Sequence, residues 1–136
     1  LVVANCDQIM EWNSLIFLNT ARYYDGCVVT YTSTNNKNSF ARIDQRGLVT
    51  EMKEKQPISD IALVGIHYWR QGRHFVRSAQ AMMAADDRYN GEFYIAPSYN
   101  YMIGPESRVG IYHLATQQYR PVGVPADLET YVQTVL

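Results

Sequence analysis

Nine consecutive residues, Ile61–Trp69 (Ile-Ala-Leu-Val-Gly-Ile-His-Tyr-Trp), carry no acidic, lysine or arginine side chain. A short apolar run of this kind reads as a buried strand, and a buried strand needs a sheet around it and covering layers on its faces. Gly65 lies in its middle. The stretch before it is charged and solvated and ends in Glu54-Lys55, after which Pro57 and Ser59 break the chain. An acceptor and a donor therefore sit side by side at the mouth of a buried strand. Lysine offers a compact point charge to phosphate, and glutamate accepts hydrogen bonds from hydroxyls. The pair suits a phosphorylated, hydroxyl-rich ligand. Taken by itself a Glu-Lys pair is first an ordinary solvated strand end, and only its surroundings speak for the ligand.

The remaining chain supplies the layers. Leu1–Asn5 reads as a short buried strand ending at Asn5-Cys6-Asp7-Gln8. Ligands of open α/β sheets meet the carboxyl ends of strands, which puts Asp7 where a metal-binding or catalytic carboxylate would stand; a turn aspartate capping its own backbone is the alternative. Asn13 or Ser14 can cap a helix running to about Tyr24, with Leu15, Leu18 and Ala21 on its inner face and Trp12 one turn earlier. Cys27–Thr32 is β-branched and reads as a strand, followed by an amide-rich polar loop over 34–38. Ser39–Ile43 and Leu48–Lys53 flank Asp44-Gln45-Arg46-Gly47, a hairpin signal. Arg73–Ala85 is the clearest helix, with Phe75, Val76, Ala79, Met82 and Met83 on one face and His74 off it, in solvent. Phe93–Ile103 is partly helical, Val109–Leu114 is a strand, 121–125 is a stiff loop, and Pro125 opens a helix whose face is Leu128, Tyr131, Val132 and Val135. The order predicts one α/β domain over 1–136, a mixed sheet covered by helices.

Composition narrows the function classes. The net charge of −1 leaves no basic footprint for nucleic acid or a membrane surface. No apolar run approaches the roughly 18 residues of a membrane span. The two cysteines, Cys6 and Cys27, lie in apolar surroundings and read as buried free thiols of a reducing, cytoplasmic compartment, although spacing leaves a disulfide open. Three scattered histidines lack zinc spacing, and neither a nucleophile elbow nor a P-loop is present. The chain opens on a strand without Met, as expected of an excised piece of a longer protein.

Several stretches, in order, resemble the sugar-1-phosphate nucleotidyltransferases, of which glucose-1-phosphate thymidylyltransferases are familiar members. They are 1–8, 25–31, 39–51, Glu54-Lys55-Gln-Pro through Trp69, Asn90-Gly-Glu-Phe-Tyr94 and Gly123-Val-Pro-Ala-Asp-Leu128. The resemblance implies a nucleotide-diphospho-sugar transferase fold (GT-A, Rossmann-like), incomplete at its N-terminus. It also implies transfer of a nucleotidyl group from a nucleoside triphosphate to a sugar 1-phosphate, with release of pyrophosphate and use of Mg²⁺, in the biosynthesis of an activated sugar for polysaccharide. By the same resemblance Asp7 falls on the metal-binding aspartate, Glu54 on the residue holding sugar hydroxyls and Lys55 on the one binding sugar phosphate. Ser39 and Leu63 fall where backbone groups touch the sugar, beside Gly65, and Glu92 matches a Gly-Glu turn.

The departures are equally specific. The family's glycine-rich triphosphate loop has no counterpart in 1–136. Ser39 replaces a glycine, His67 a tyrosine and Asn90 an arginine, for which Arg88 is the nearby substitute. The second metal aspartate is missing, with Asn100 the nearest remaining oxygen donor. The expectation is the C-terminal, sugar-binding portion of such an enzyme, inactive or very slow alone. The alternative is a non-catalytic sugar-phosphate-binding or regulatory module of the same fold. Strand edges left by truncation would favour a homo-oligomer.

Overall fold

The computed structural model describes residues 1–136. Its main sheet contains β1 (Val2–Ala4), β3 (Gly26–Thr32), β4 (Ser39–Ile43), β5 (Val49–Glu54), β6 (Ile61–Trp69) and β7 (Val109–His113). The order is β5-β4-β6-β3-β7, with β1 also paired to β6. All pairings are antiparallel except β3 with β7. The mixed α/β architecture is the expected one. Trp69, Val28, Val64, Ala62, Phe40 and Met52 are essentially inaccessible, so the apolar run of β6 is indeed the centre of the sheet.

How β6 is bordered decides where a cavity can form. Strand β3 runs along one edge of β6, and its register slips between Val28 and Thr30. The other edge is divided. Strand β4 pairs at Ala62, whereas β1 pairs from Ile66 to Tyr68. The division falls at Gly65, whose carbonyl accepts the Asn5 N–H at 2.9 Å. Gly65 has φ +77°, and a Cβ there would come within 2.2 Å of the Asn5 side chain. A glycine is needed on both counts. The sheet thus opens where β1 and β4 part.

Helices cover both faces. On one face α2 (Gly72–Ala84), α3 (Ile95–Ser98) and the 3₁₀ turn Tyr99–Tyr101 pack over Trp69, Met52 and Val28. Tyr99 stacks on Trp69 at 4.7 Å between ring centroids. On the other face α1 (Ser14–Ala21) packs over Cys27, Val29, Val64 and Ile66. Its cap is Asn13, whose side chain accepts from the N–H groups of Leu15 and Ile16. The inner residues of α1 are Phe17 and Ala21, while Leu15 is 67 % exposed. Of the expected face Ala21 is inside and Leu15 and Leu18 are not; four apolar residues in succession, 15–18, leave the 3.6-residue period open as to which of them turns inward. Phe17 wins through its rings: Trp12, Tyr68 and Tyr112 all meet it.

Other expectations are corrected in the same way. In α2 the buried residues are Ser78 and Met82, whereas Val76 and Met83 are about half exposed. His74 is half-buried, with Nδ1 enclosed and unpartnered. Cys6 is exposed, Cys27 is buried, and both are free. β1 is a short edge strand whose outer residues are exposed. The hairpin turn forms as read: Asp44 accepts from the N–H groups of Arg46 and Leu48. A second, two-stranded sheet was not foreseen. It joins β2 (Gln8–Met10) to β8 (Tyr119–Pro121), and α4 (Pro125–Val135) follows it. Three-residue strands carry too little alternation to register. No helix is long and apolar enough to cross a membrane.

Candidate functional site

The parting of β1 from β4 is roofed by the two-stranded sheet, and a cavity of about 560 Å³ lies between them. One wall comes from the main sheet and α3: Ser39, Glu54, Lys55, Leu63, Gly65, His67 and Tyr94. The other comes from the turn after β1, β8 and the start of α4: Asp7, Tyr119, Gly123 and Asp127. Asn38 and Tyr31 close one end, the Tyr31 hydroxyl donating to Asn38 Oδ1 at 3.2 Å.

Ser39 and Glu54 are register partners in the β4–β5 ladder, so their side chains share a face. The Ser39 hydroxyl donates to Glu54 Oε2 at 2.5 Å. Burial raises the Glu54 pKa, opposed by this hydrogen bond and by the charge of Lys55. A buried carboxylate with one oxygen left free of side-chain and backbone partners is a strong acceptor for a ligand hydroxyl.

Lys55 directly follows β5 with φ 52°, a left-handed backbone uncommon for a residue with a side chain. Its N–H donates to the Asn38 carbonyl. Its ammonium donates to the Tyr94 hydroxyl at 3.2 Å, a contact that raises the Lys55 pKa and keeps it charged. His67 is 6 % exposed, with Nδ1 unpartnered. Burial lowers its pKa to about 4, so the imidazole is neutral at pH 7.

The opposite wall is built on a close approach. A Cβ on Gly123 would meet Asp7 Oδ2 at 2.5 Å, so the carboxylate lies directly over that glycine. Tyr119 stands beside it. Burial first, then Tyr31, Asp7 and Asp127, push its phenol up to about 12.

Of the residues singled out from sequence, the fold gathers Asp7, Ser39, Glu54, Lys55, Leu63 and Gly65 around this one cavity. Glu92 is not in its wall; it sits behind Tyr94, whose hydroxyl donates to it at 2.8 Å. Asn100 is a correction. Its amide binds the N–H and C=O of Met52, both at 2.8 Å, so it is committed to the backbone of β5 and lies apart from Asp7. The residues missed were Tyr94, His67 as a wall residue, and Asp127. Asp127 lies within Gly123–Leu128, one of the stretches that carry the resemblance, but the resemblance gives it no role of its own.

No protein-family profile matches the chain, and no curated protein matches it either. Solved structures do. A nucleoside-diphosphate-sugar pyrophosphorylase from Vibrio cholerae superposes with a TM-score of 0.84 at 22% identity, over 97% of this chain and 55% of its own. A structure assigned as a glucose-1-phosphate thymidylyltransferase from Bacillus anthracis, in complex with sucrose, gives 0.71 at 18%, over 98% and 53%. A UTP-bound UGPase from Acinetobacter baumannii gives 0.70 at 11%, over 99% and 50%. The chain therefore has the nucleotide-sugar nucleotidyltransferase fold. It spans about half the length of the structures that share it.

Proposed function

We propose that residues 1–136 form the sugar-phosphate-binding part of a sugar-1-phosphate nucleotidyltransferase. The observation that supports this best is the Glu54–Lys55 pair itself. A buried acceptor and a charged donor, adjacent in sequence, face one cavity at the point where β6 loses its neighbour. In this reading Lys55 holds the phosphate of a hexose 1-phosphate. Glu54, oriented by Ser39, accepts from sugar hydroxyls. A phosphate oxygen of the sugar attacks the α-phosphorus of the nucleoside triphosphate, the α–β anhydride bond breaks, and pyrophosphate leaves.

Such a displacement depends on positioning and on neutralising charge. No group of three or more His, Cys, Asp or Glu residues is arranged to hold a metal by itself. Mg²⁺ is commonly held by one or two carboxylates together with substrate phosphates and water. Asp7, with Asp127 on the same wall, fits that role. Bound there, Mg²⁺ would neutralise charge on the phosphates. Consumption of a nucleoside triphosphate fits a cytoplasmic enzyme that supplies activated sugar for polysaccharide, and turnover by residues 1–136 alone is expected to be very slow or nil. Isothermal titration with glucose 1-phosphate and with glucose tests the reading. The phosphate should raise affinity about ten- to hundred-fold, the range of a charge-assisted contact. Equal affinities, or binding of neither, would contradict it.

A further inference from the structure

The hydrogen-bond partner of the Lys55 ammonium comes from outside β5. The ammonium donates to the Tyr94 hydroxyl at 3.2 Å. That hydroxyl has a single proton, which it donates to Glu92 Oε2 at 2.8 Å. A carboxylate can only accept, so Glu92 claims the proton and leaves the phenol's lone pairs turned to Lys55. The rings of Tyr94 and Tyr89 also flank the ammonium, with centroids 5.0 and 5.8 Å away. All this happens at the cavity wall, where Tyr94 and Lys55 both stand.

We propose that Tyr94 is a positioning residue for anion binding: anchored by Glu92, it holds the Lys55 ammonium toward the cavity before a ligand arrives. The inference rests on the sugar-phosphate reading above and deepens it. Lysine has four rotatable side-chain bonds, and ordering them on binding lowers affinity. A phenol that restrains the head in advance removes part of that cost. The contact also favours the protonated amine. Glu92 thereby acquires a part at a distance, without entering the cavity wall.

The test is titration of the full chain with glucose 1-phosphate and with glucose, for wild type and for the Tyr94→Phe, Glu92→Ala, Glu92→Gln and Lys55→Ala variants. Tyr94→Phe should lower glucose 1-phosphate affinity about three- to ten-fold, the range of one hydrogen bond, and leave glucose affinity unchanged. Glu92→Ala should reproduce part of that loss, and Glu92→Gln, whose amide oxygen still accepts, should restore it. In the Lys55→Ala background Tyr94→Phe should have no further effect, because the two act through one contact. A merely structural tyrosine would instead weaken both ligands together and lower the unfolding midpoint. Unchanged glucose 1-phosphate affinity in Tyr94→Phe, or an equal loss with and without Lys55, would overturn the proposal. If wild type prefers the phosphate and Lys55→Ala abolishes that preference while Tyr94→Phe does not alter it, the inference alone fails. If wild type shows no preference, the sugar-phosphate reading falls and the inference falls with it.

Discussion

The two walls of the cavity are built differently. The wall carrying Ser39, Glu54, Lys55 and His67 grows from strands whose backs are fully buried: Phe40, Met52 and Trp69 are 0 % exposed. Apart from His67, whose Nδ1 has no partner, its polar groups are hydrogen-bonded: Ser39 to Glu54, and Lys55 to Tyr94, which donates to Glu92 behind the wall. The wall carrying Asp7, Tyr119 and Asp127 rests on a two-stranded sheet and on α4, which has no buried residue. Leu128, Val132 and Val135 are 47 %, 40 % and 58 % exposed. The first wall is organised by its own core. The second is held by the β2–β8 ladder, by the Val122 N–H donating to the Asp7 carbonyl, by the Tyr119 ring against Tyr31 and by the close approach of Asp7 to Gly123. The difference is one of burial: the cationic end of the site is backed by the main core, whereas the acidic end is backed by a short sheet and an exposed helix.

The sharpest break of this contrast is in stability. Trp69→Ala should cost about 3–5 kcal/mol in urea denaturation, as expected for a large aromatic removed from a packed core. A smaller loss would mean that the first wall is looser than its burial implies. The second effect is with pH. His67 has its pKa lowered from 6.5 to about 4, so the unfolded chain binds a proton that the folded one refuses. Stability is therefore full above pH 6.5 and declines as pH falls through about 4, by up to roughly 3 kcal/mol. Tyr119, on the other wall, is silent in that window, as any tyrosine would be, and its phenol is pushed further away still, up to about 12. Denaturation midpoints between pH 7 and pH 4 should fall for wild type and fall less for His67→Gln; parallel curves would remove His67 as the cause. The smallest effect belongs to α4. Val132→Ala should change stability by less than about 0.5 kcal/mol. A cost near that of a core residue would show α4 to be covered in solution.

What was legible in the sequence follows the same division. β6, the hairpin of β4 and β5, and the start of α4 could be read because each has a strong local cause: an unbroken apolar run, an Asp-to-Gly turn, a proline at a first helical position. The acidic wall could not, because β2 and β8 are three residues each and pair across more than a hundred positions. In α4 the apolar stripe Leu128, Tyr131, Val132 and Val135 was visible, but a stripe states that a face is apolar without saying what meets it. The same holds for the site. Glu54 and Lys55 are neighbours in the chain, and their pairing needed no tertiary information. Tyr94 reaches Lys55 only because α3 packs against β5, and Asn100 turned out to serve the β5 backbone for the same reason. Long-range placement, not residue chemistry, was the missing knowledge.

The most direct measurement is a lysine-selective NMR titration that follows the side-chain resonances as glucose 1-phosphate is added. The expected result is a Lys55 resonance that moves to saturation with glucose 1-phosphate and stays in place with glucose. A Lys55 resonance indifferent to glucose 1-phosphate, while another lysine responds, would contradict the sugar-phosphate reading.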